Sequence, residues 1–243
     1  MTTQTIRRGA AALMAAAALL AIAGFTALGS VFDYPQILQS PTADILAGYR
    51  ENQGAIMGWF VVLAVSAALL APVGVLLGRD VGGRTGRWIT GVGVAAAAVQ
   101  VIGLSRWFLL IPRVSEDATV PGQAAAAHRT FERLHTWLGT ILGETIGYAL
   151  TATFTVLVAI AVTRVLAPRW MVLLGYASAG LIATGMVVPL GVDAAGLTNF
   201  AGYVAWCLWL IAMGVFLWRS PAKASTMSAL GSRVAGRDLP TTS

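Results

Sequence analysis

Six apolar runs constrain this chain more than any other feature of its sequence. They lie at about residues 10–31, 54–78, 88–111, 137–166, 170–190 and 197–218. Each run is long enough to cross about 30 Å of hydrocarbon, because a helix rises about 1.5 Å per residue. We therefore predict an all-α polytopic transmembrane bundle with six spans in residues 1–220. Residues 221–243 are poor in apolar side chains and are predicted to form a disordered cytoplasmic tail.

The composition excludes several other classes of protein. Hydrophobic residues make up 57% of the chain and charged residues 11%, whereas soluble domains are about a quarter charged. A soluble protein of this composition would leave large apolar surfaces in water. A nucleic-acid-binding protein, a disordered chain and a secreted disulfide scaffold are all excluded, the last because Cys207 is the one cysteine.

The distribution of basic residues predicts the orientation. Eleven Lys and Arg residues lie on the side of the two termini and four in the loops of the other side. The positive-inside rule therefore places both termini in the cytoplasm. Tryptophans, which favour the membrane interfaces, fit this orientation. The outer set is Trp59, Trp107 and Trp137, and the inner set is Trp88, Trp170 and Trp218.

The first run has an alternative interpretation as a secretory signal. Arg7 and Arg8 precede the apolar stretch, and the small residues Ala27 and Gly29 could mark a cleavage site. However, the run is longer than the roughly 7–15 apolar residues of a typical signal. We therefore expect the first helix to be retained.

The first and third loops, both on the outer side, are expected to contain short helices. In the first loop Ser40 is a candidate cap and Pro41 suits the first helical position. Ile45, Leu46 and Tyr49 then fall on one face. Two interpretations stay open for this helix: a segment that covers the bundle, or a lid over an outward-facing site. The third loop, from Pro112 to about Thr136, is expected to wind into the fourth span after Gly122.

Three residues of the third loop have the chemistry of metal ligands. His128, Glu132 and His135 share one helical face. Their spacing is not a recognised ligand signature, so we predict a solvated helical face and no metal. Haem is also not expected, because both histidines lie outside the spans. The sequence contains no phosphate-binding loop and no dinucleotide fingerprint, and we predict no cofactor.

Two charged residues lie inside predicted spans. Arg106 and Glu144 are both expected about 8–10 Å deep in the outer leaflet, on consecutive antiparallel helices. A charge there costs at least about 2.5–3.5 kcal/mol and usually has a partner, so the two side chains could pair. Glu144 also lies beside Gly139, Gly143 and Gly147, whose spacing allows another helix to approach closely.

Two interpretations of these charges stay open. The functional one is a small outward-opening pocket in which Arg106 anchors an anion and Glu144 is its counter-ion or proton carrier. Asp193, at the outer end of the fifth run, and Tyr148 could join this pocket. The structural one is an ion pair that locks the third and fourth spans together.

Two short motifs carry a resemblance. They are Phe32-Asp33-Tyr34-Pro35-x-Ile37-Leu38 and Leu142-Gly143-Glu144-x-x-Gly147-Tyr148. With them the chain resembles, from about residue 8 to 218, a family of bacterial multi-pass membrane proteins known only as a domain of unknown function. The resemblance implies a bundle of six to seven helices in the bacterial cytoplasmic membrane and supplies no substrate. It favours a role for Asp33 and Glu144, which lie inside the matching segments.

The sequence leaves the activity unassigned among three classes. The first choice is a non-enzymatic membrane protein that binds a lipid-like ligand or another membrane protein, with the lipid bilayer as its environment and no nucleic acid as partner. The second is a small proton-coupled transporter, although no inverted repeat is evident. The third is an integral-membrane enzyme acting on a lipid or isoprenoid, which would need a deep apolar cavity ending at its carboxylates.

Overall fold

The computed structural model describes residues 2–163, 168–190 and 194–220. Within these ranges the chain is helical and has no β-strand. Six helical stretches are long and apolar enough to cross a membrane, which confirms the predicted bundle of six spans. The predicted disordered tail at 221–243 lies outside the described residues.

In the first half of the chain, the first helix begins at Thr3, before the first predicted apolar run. The helical elements of this half are α1 (Thr3–Phe32), a 3₁₀ turn (Gln36–Gln39), α2 (Thr42–Glu51), α3 (Gln53–Ala68), α4 (Leu70–Val81), α5 (Gly83–Leu109) and α6 (Ile111–Asp117). Span two consists of α3 and α4, and span three of α5 and α6. Both breaks precede a proline, Pro72 or Pro112, which lacks the N–H that would continue the helix.

The second half of the chain contains a π-helical segment between two α-helices. Its elements are α7 (Ala124–Leu134), a π-helical segment (His135–Ile146), α8 (Gly147–Thr163), α9 (Arg169–Thr184), a 3₁₀ segment (Gly185–Leu190) and α10 (Ala194–Arg219). The first three of these form span four without interruption, from Ala124 to Ala161. This confirms the expectation that the third loop winds into the fourth span beyond Gly122.

The six spans form a closed ring in chain order. α1 packs against α3 and α4, which pack against α5, and α5 packs against the π-helical segment and α8. α8 then packs against α9, α9 against α10, and α10 returns to α1. The interior is filled by side chains such as Met14, Phe154 and Trp209, each almost completely buried. The outward side chains include Leu173 and Leu197, 66% and 74% exposed, as expected for helices in lipid.

One end of the ring is covered by a layer that we call the cap, made of α2, α6 and α7. Ile45, Leu46 and Tyr49 of α2, which were predicted to share one face, are buried in an apolar cluster with Trp107 of α5 and Phe131 of α7. Tyr49 donates a hydrogen bond from Oη to the Trp107 carbonyl oxygen at 2.7 Å. Arg50 donates to the Ser115 carbonyl oxygen at 2.9 Å. These contacts fix α2 over the bundle.

The start of α2 differs from the prediction. Pro41 occupies the N-cap position, and no side chain caps the helix. Pro41 has an extended ψ of 145°, so the helix begins at Thr42 instead. Ser40 therefore does not cap α2.

Candidate functional site

Arg106 lies near the capped end of α5 and is 4% exposed. Its Nη1 atom donates a hydrogen bond to the Gly103 carbonyl oxygen at 2.6 Å. Its Cζ atom is 5.2 Å from the centre of the Trp107 ring. Within the described ranges, the bond to Gly103 is the one hydrogen bond that the guanidinium makes to protein. A guanidinium has five N–H donors, so most of its donors are not used by the protein.

The glycines of the second motif bring α5 close to span four. A Cβ on Gly103 would lie 3.0 Å from the Gly143 Cα and 3.0 Å from the Leu138 carbonyl oxygen. A Cβ on Gly139 would lie 2.8 Å from Nη2 of Arg106. The predicted close approach at this glycine stripe is therefore present, and its partner is α5. At Gly139 the absence of a side chain leaves room for the guanidinium.

Glu144 belongs to the π-helical segment, where hydrogen bonds span five residues and not four. The hydroxyl of Thr145 follows the same spacing, since it donates to the Thr140 carbonyl oxygen at 3.0 Å. The wider turn changes the angle between successive side chains, so the α-helical spacing assumed from the sequence does not apply here. π-helical turns occur frequently at functional sites.

Arg106 and Glu144 do not form the direct ion pair considered above. The ion pairs of the described residues are Arg7–Asp80 and Arg113–Asp117. Charge interactions nevertheless connect Arg106 with Glu144, and each of the two with Tyr34 and Tyr148. Neither of the two charges therefore neutralises the other through contact. We call Arg106, Glu144, Tyr34 and Tyr148 the polar cluster.

Tyr34 is a member of the cluster that the sequence did not single out. It lies in the first motif, just after the end of α1, and its peptide bond to Pro35 is cis. Its ring packs edge-on against Phe60 with 5.3 Å between centroids. Burial raises the pKa of Tyr34 to about 12, with Arg106 opposing this rise and Glu144 adding to it. Its phenol is therefore neutral at physiological pH and can donate a hydrogen bond.

Asp33, which the resemblance favoured, lies outside the cluster. It is exposed and caps the end of α1 in the left-handed conformation with φ 49°. Its backbone N–H donates to the Leu28 carbonyl oxygen, which also accepts from the Tyr34 N–H at 3.3 Å and so closes the end of the helix. Asp33 thus turns the chain so that Tyr34 enters the bundle.

Tyr148 extends the cluster towards α10. Its ring lies 5.6 Å from that of Tyr203, and one turn further along α8 Thr151 accepts a hydrogen bond from Gln100 at 2.6 Å. Asp193, the remaining candidate, lies outside the described residues.

The three candidate metal ligands of the third loop do not converge. Glu132 accepts a hydrogen bond from the Thr42 hydroxyl at 3.2 Å, while His135 stacks on Phe131 with 5.8 Å between centroids. In the part of the chain that the structure describes, no group of three His, Cys, Asp or Glu side chains is arranged to hold a metal. The Nδ1 atom of His135 is buried and has no hydrogen-bond partner there, and it lies 3.2 Å from the Cβ position of Gly139, beside Arg106.

Trp107 corrects a further expectation. Of the six tryptophans assigned to the membrane interfaces, this one has 0% exposure. Its ring stacks on Phe60 with 4.8 Å between centroids and an interplanar angle of 5°. The cap covers it, so it is a core residue beneath α2 and does not mark the interface. Trp88, Trp137, Trp170 and Trp218 are all more than half exposed, as expected.

Comparison with known families gives a clear assignment. The family model described as Domain of unknown function (DUF4386) matches residues 10–214. The chain belongs to this family. The DUF4386 match includes every member of the polar cluster, and the family description supplies no substrate or activity. No curated protein and no solved structure matches the chain.

Proposed function

We propose that this protein binds the anionic group of a lipid-like ligand at Arg106, beneath the cap. One observation carries the proposal: Arg106 is 4% exposed, yet among the described residues its guanidinium has one hydrogen-bond acceptor and no carboxylate within ion-pair distance. A buried charge without such partners is costly. Anionic oxygens match the unused donors, since a guanidinium binds carboxylate or phosphate with two parallel hydrogen bonds.

The surroundings of Arg106 favour a lipid-like ligand over a free ion. On the same helix Ile102 and Leu109 are 49% and 66% exposed and face the lipid, so the bilayer is within one to two turns of the guanidinium. Above it lies the apolar cluster that α2 joins, which includes the aromatic rings of Trp107 and Phe131. A molecule with an anionic group and an apolar chain fits both environments.

The location that we propose is a bacterial inner membrane, with both termini in the cytoplasm and the cap on the outer side. The support is the excess of basic residues on the side of the termini. Fluorescence of a reporter fused to the C-terminus, which requires a cytoplasmic location, tests this orientation.

The binding proposal is tested with the full-length protein in nanodiscs or detergent. The probes are phosphatidylglycerol, which is anionic, phosphatidylcholine, which is zwitterionic, and inorganic phosphate. We expect phosphatidylglycerol to bind and Arg106→Gln to weaken its binding at least tenfold. Arg113→Gln is the matched control, because the Arg113 side chain is 86% exposed, and it should bind as the wild type does.

A second variant guards against misfolding of Arg106→Gln. In Gly139→Ala the new Cβ would displace the guanidinium, and we expect weaker binding, whereas Gly180→Ala, which meets nothing within 4 Å, should have no effect. Equal phosphatidylglycerol affinity in Arg106→Gln, Gly139→Ala and wild type would overturn the proposal. Binding of inorganic phosphate alone would overturn its lipid part.

A further inference from the structure

We propose that a groove on the exposed face of span four, which we call the span-four groove, binds the zwitterionic headgroup of phosphatidylethanolamine from the surrounding leaflet. The groove has a volume of about 250 Å³ and is lined by Arg129, Glu132, Arg133, Thr136 and Trp137. Its side chains are exposed, whereas Arg106 is buried beneath the cap. The inference therefore goes beyond the proposed function and does not depend on anion binding at Arg106.

The span-four groove follows from the amphipathic sequence of α7. Ala127 and Phe131 are 5% and 2% exposed and pack into the apolar cluster that α2 joins. The five lining residues recur three and four positions apart, which places them together on another face of the helix. All five are exposed. The apolar contacts thus hold α7 in place and leave a polar face directed away from the bundle.

The two arginines of the groove make no hydrogen bond and no ion pair within the described residues. The other two arginines of the outer loops are engaged, since Arg50 donates to a backbone carbonyl oxygen and Arg113 lies 4.0 Å from Asp117. Arg129 and Arg133 are four residues apart on one helix, so their like charges repel each other. A bound phosphate relieves this repulsion, because a guanidinium binds phosphate oxygens with two parallel hydrogen bonds.

The height of the groove favours a lipid phosphate over a free one. Trp137 is 64% exposed and is the first residue of the fourth apolar run, as expected at the edge of the hydrocarbon. Arg133 lies one turn before it, about 6 Å further from the hydrocarbon. The headgroup layer of one leaflet is about 5–8 Å thick. The groove therefore lies at the level of the lipid phosphates.

The size of the groove matches a headgroup and not a whole lipid. Its volume of about 250 Å³ is below the roughly 300–1,000 Å³ of pockets that enclose a small molecule. The acyl chains of a lipid bound there would stay in the bilayer, below Trp137. The protein surface therefore has to recognise the headgroup alone.

Glu132 determines which headgroup fits the groove. Within the described residues its carboxylate has one partner, the Thr42 hydroxyl, which donates to Oε1 at 3.2 Å. A carboxylate has about four acceptor positions, so Glu132 can also accept from a ligand. Phosphatidylethanolamine carries a primary ammonium on a short arm beside its phosphate. The quaternary ammonium of phosphatidylcholine has no N–H to donate, and phosphatidylglycerol has no cation.

The test compares lipids that differ only in their headgroups. Full-length protein in detergent is titrated with phosphatidylethanolamine and phosphatidylcholine of identical acyl chains, and the bound lipid is measured by native mass spectrometry. We expect the wild type to bind phosphatidylethanolamine about fivefold more tightly, the upper range for an ion pair of exposed groups. Soluble phosphoethanolamine at the same concentration should not displace the lipid, because it has no acyl chains in the micelle.

Matched variants separate the two parts of the headgroup. Glu132→Gln should bind both lipids equally, at the wild-type level for phosphatidylcholine. The double variant Arg129→Gln/Arg133→Gln should bind both lipids at least about tenfold more weakly, because it removes both phosphate contacts. The controls Glu116→Gln and Arg113→Gln change exposed residues of α6 at the same end and should keep the wild-type preference and affinities.

Several outcomes would overturn the proposal. They are equal wild-type affinity for the two lipids, a preference that persists in Glu132→Gln, and unchanged affinities in the double arginine variant. Displacement of the lipid by soluble phosphoethanolamine would overturn the lipid source and leave a site for a free headgroup. A preference that Arg106→Gln removes would place the site beneath the cap instead. Loss of phosphatidylglycerol binding in the wild type counts against the proposed function alone, because the preference for phosphatidylethanolamine is measured separately.

Discussion

At the end of the bundle opposite the cap, Arg7 donates from Nε to both carboxylate oxygens of Asp80, at 3.1 and 2.9 Å. At the capped end, Arg106 is more deeply buried but has no carboxylate at ion-pair distance among the described residues. The first arginine joins the start of α1 to the end of α4. The second is held by a backbone carbonyl of its own helix and rests against a glycine.

Glycines at the two ends differ in what an added side chain would meet. At the opposite end, Cβ atoms on Gly78 and Gly86 would each clash with backbone of the other residue. At Gly139 of the capped end, the added Cβ would meet the guanidinium of Arg106, the far end of a flexible side chain. The opposite end therefore has a backbone-to-backbone crossing and a paired arginine, while at the capped end most N–H donors of Arg106 have no partner among the described residues. Natural proteins commonly lose stability where a site must bind.

The largest expected contrast concerns the glycine crossings. Gly86→Ala should lower the free energy of unfolding by about 3 kcal/mol, because neither backbone can move without disturbing α4 against α5. Gly139→Ala should lower it by less than about 1 kcal/mol, since the guanidinium can move and alanine favours the helix. Unfolding in mixed micelles measures both, with Gly180→Ala as control. A Gly86→Ala variant as stable as Gly180→Ala would contradict the rigid crossing.

The second contrast concerns the two arginines. Arg7→Gln should lower the free energy of unfolding by about 2 kcal/mol, less than the 3–5 kcal/mol of fully buried pairs, because it leaves Asp80 without this partner. Arg106→Met should leave stability unchanged or raise it by about 1 kcal/mol, since an apolar side chain replaces a charge that lacks an ion-pair contact. Thermal unfolding without added lipid measures both. Equal losses in the two variants would mean that Arg106 is as well paired as Arg7.

The smallest contrast lies within one motif of the capped end. Asp33→Gly should stabilise the protein by about 0.5 kcal/mol, because glycine adopts the left-handed conformation without strain. Its phosphatidylglycerol affinity should equal that of the wild type. The matched variant Tyr34→Phe removes a phenol of the polar cluster and should weaken binding. If Asp33→Gly weakens binding more than Tyr34→Phe does, then Asp33, and not Tyr34, belongs to the binding site.

The sequence predicted the spans well because each span depends on a local property, the apolar character of about 20 consecutive residues. It also identified Arg106 and Glu144, because a charge within an apolar run is conspicuous, and the glycines of their crossing, because their spacing is regular. It did not predict that Trp107 is buried, since the sequence pattern of an interfacial tryptophan does not reveal a cap folded over it. It also favoured Asp33 over its neighbour Tyr34, because the direction of each side chain depends on how α1 ends.

The amino-acid sequence by itself determined that the chain forms six membrane-crossing helices, because burying their apolar side chains in lipid and satisfying backbone hydrogen bonds within each helix require no information from other parts of the chain. The tertiary structure decided that the helices close into a ring in chain order, that span four becomes π-helical at Glu144, and that Arg106 and Glu144 form no ion pair. These features depend on distances of a few ångströms between residues far apart in sequence, and packing of the whole bundle sets such distances.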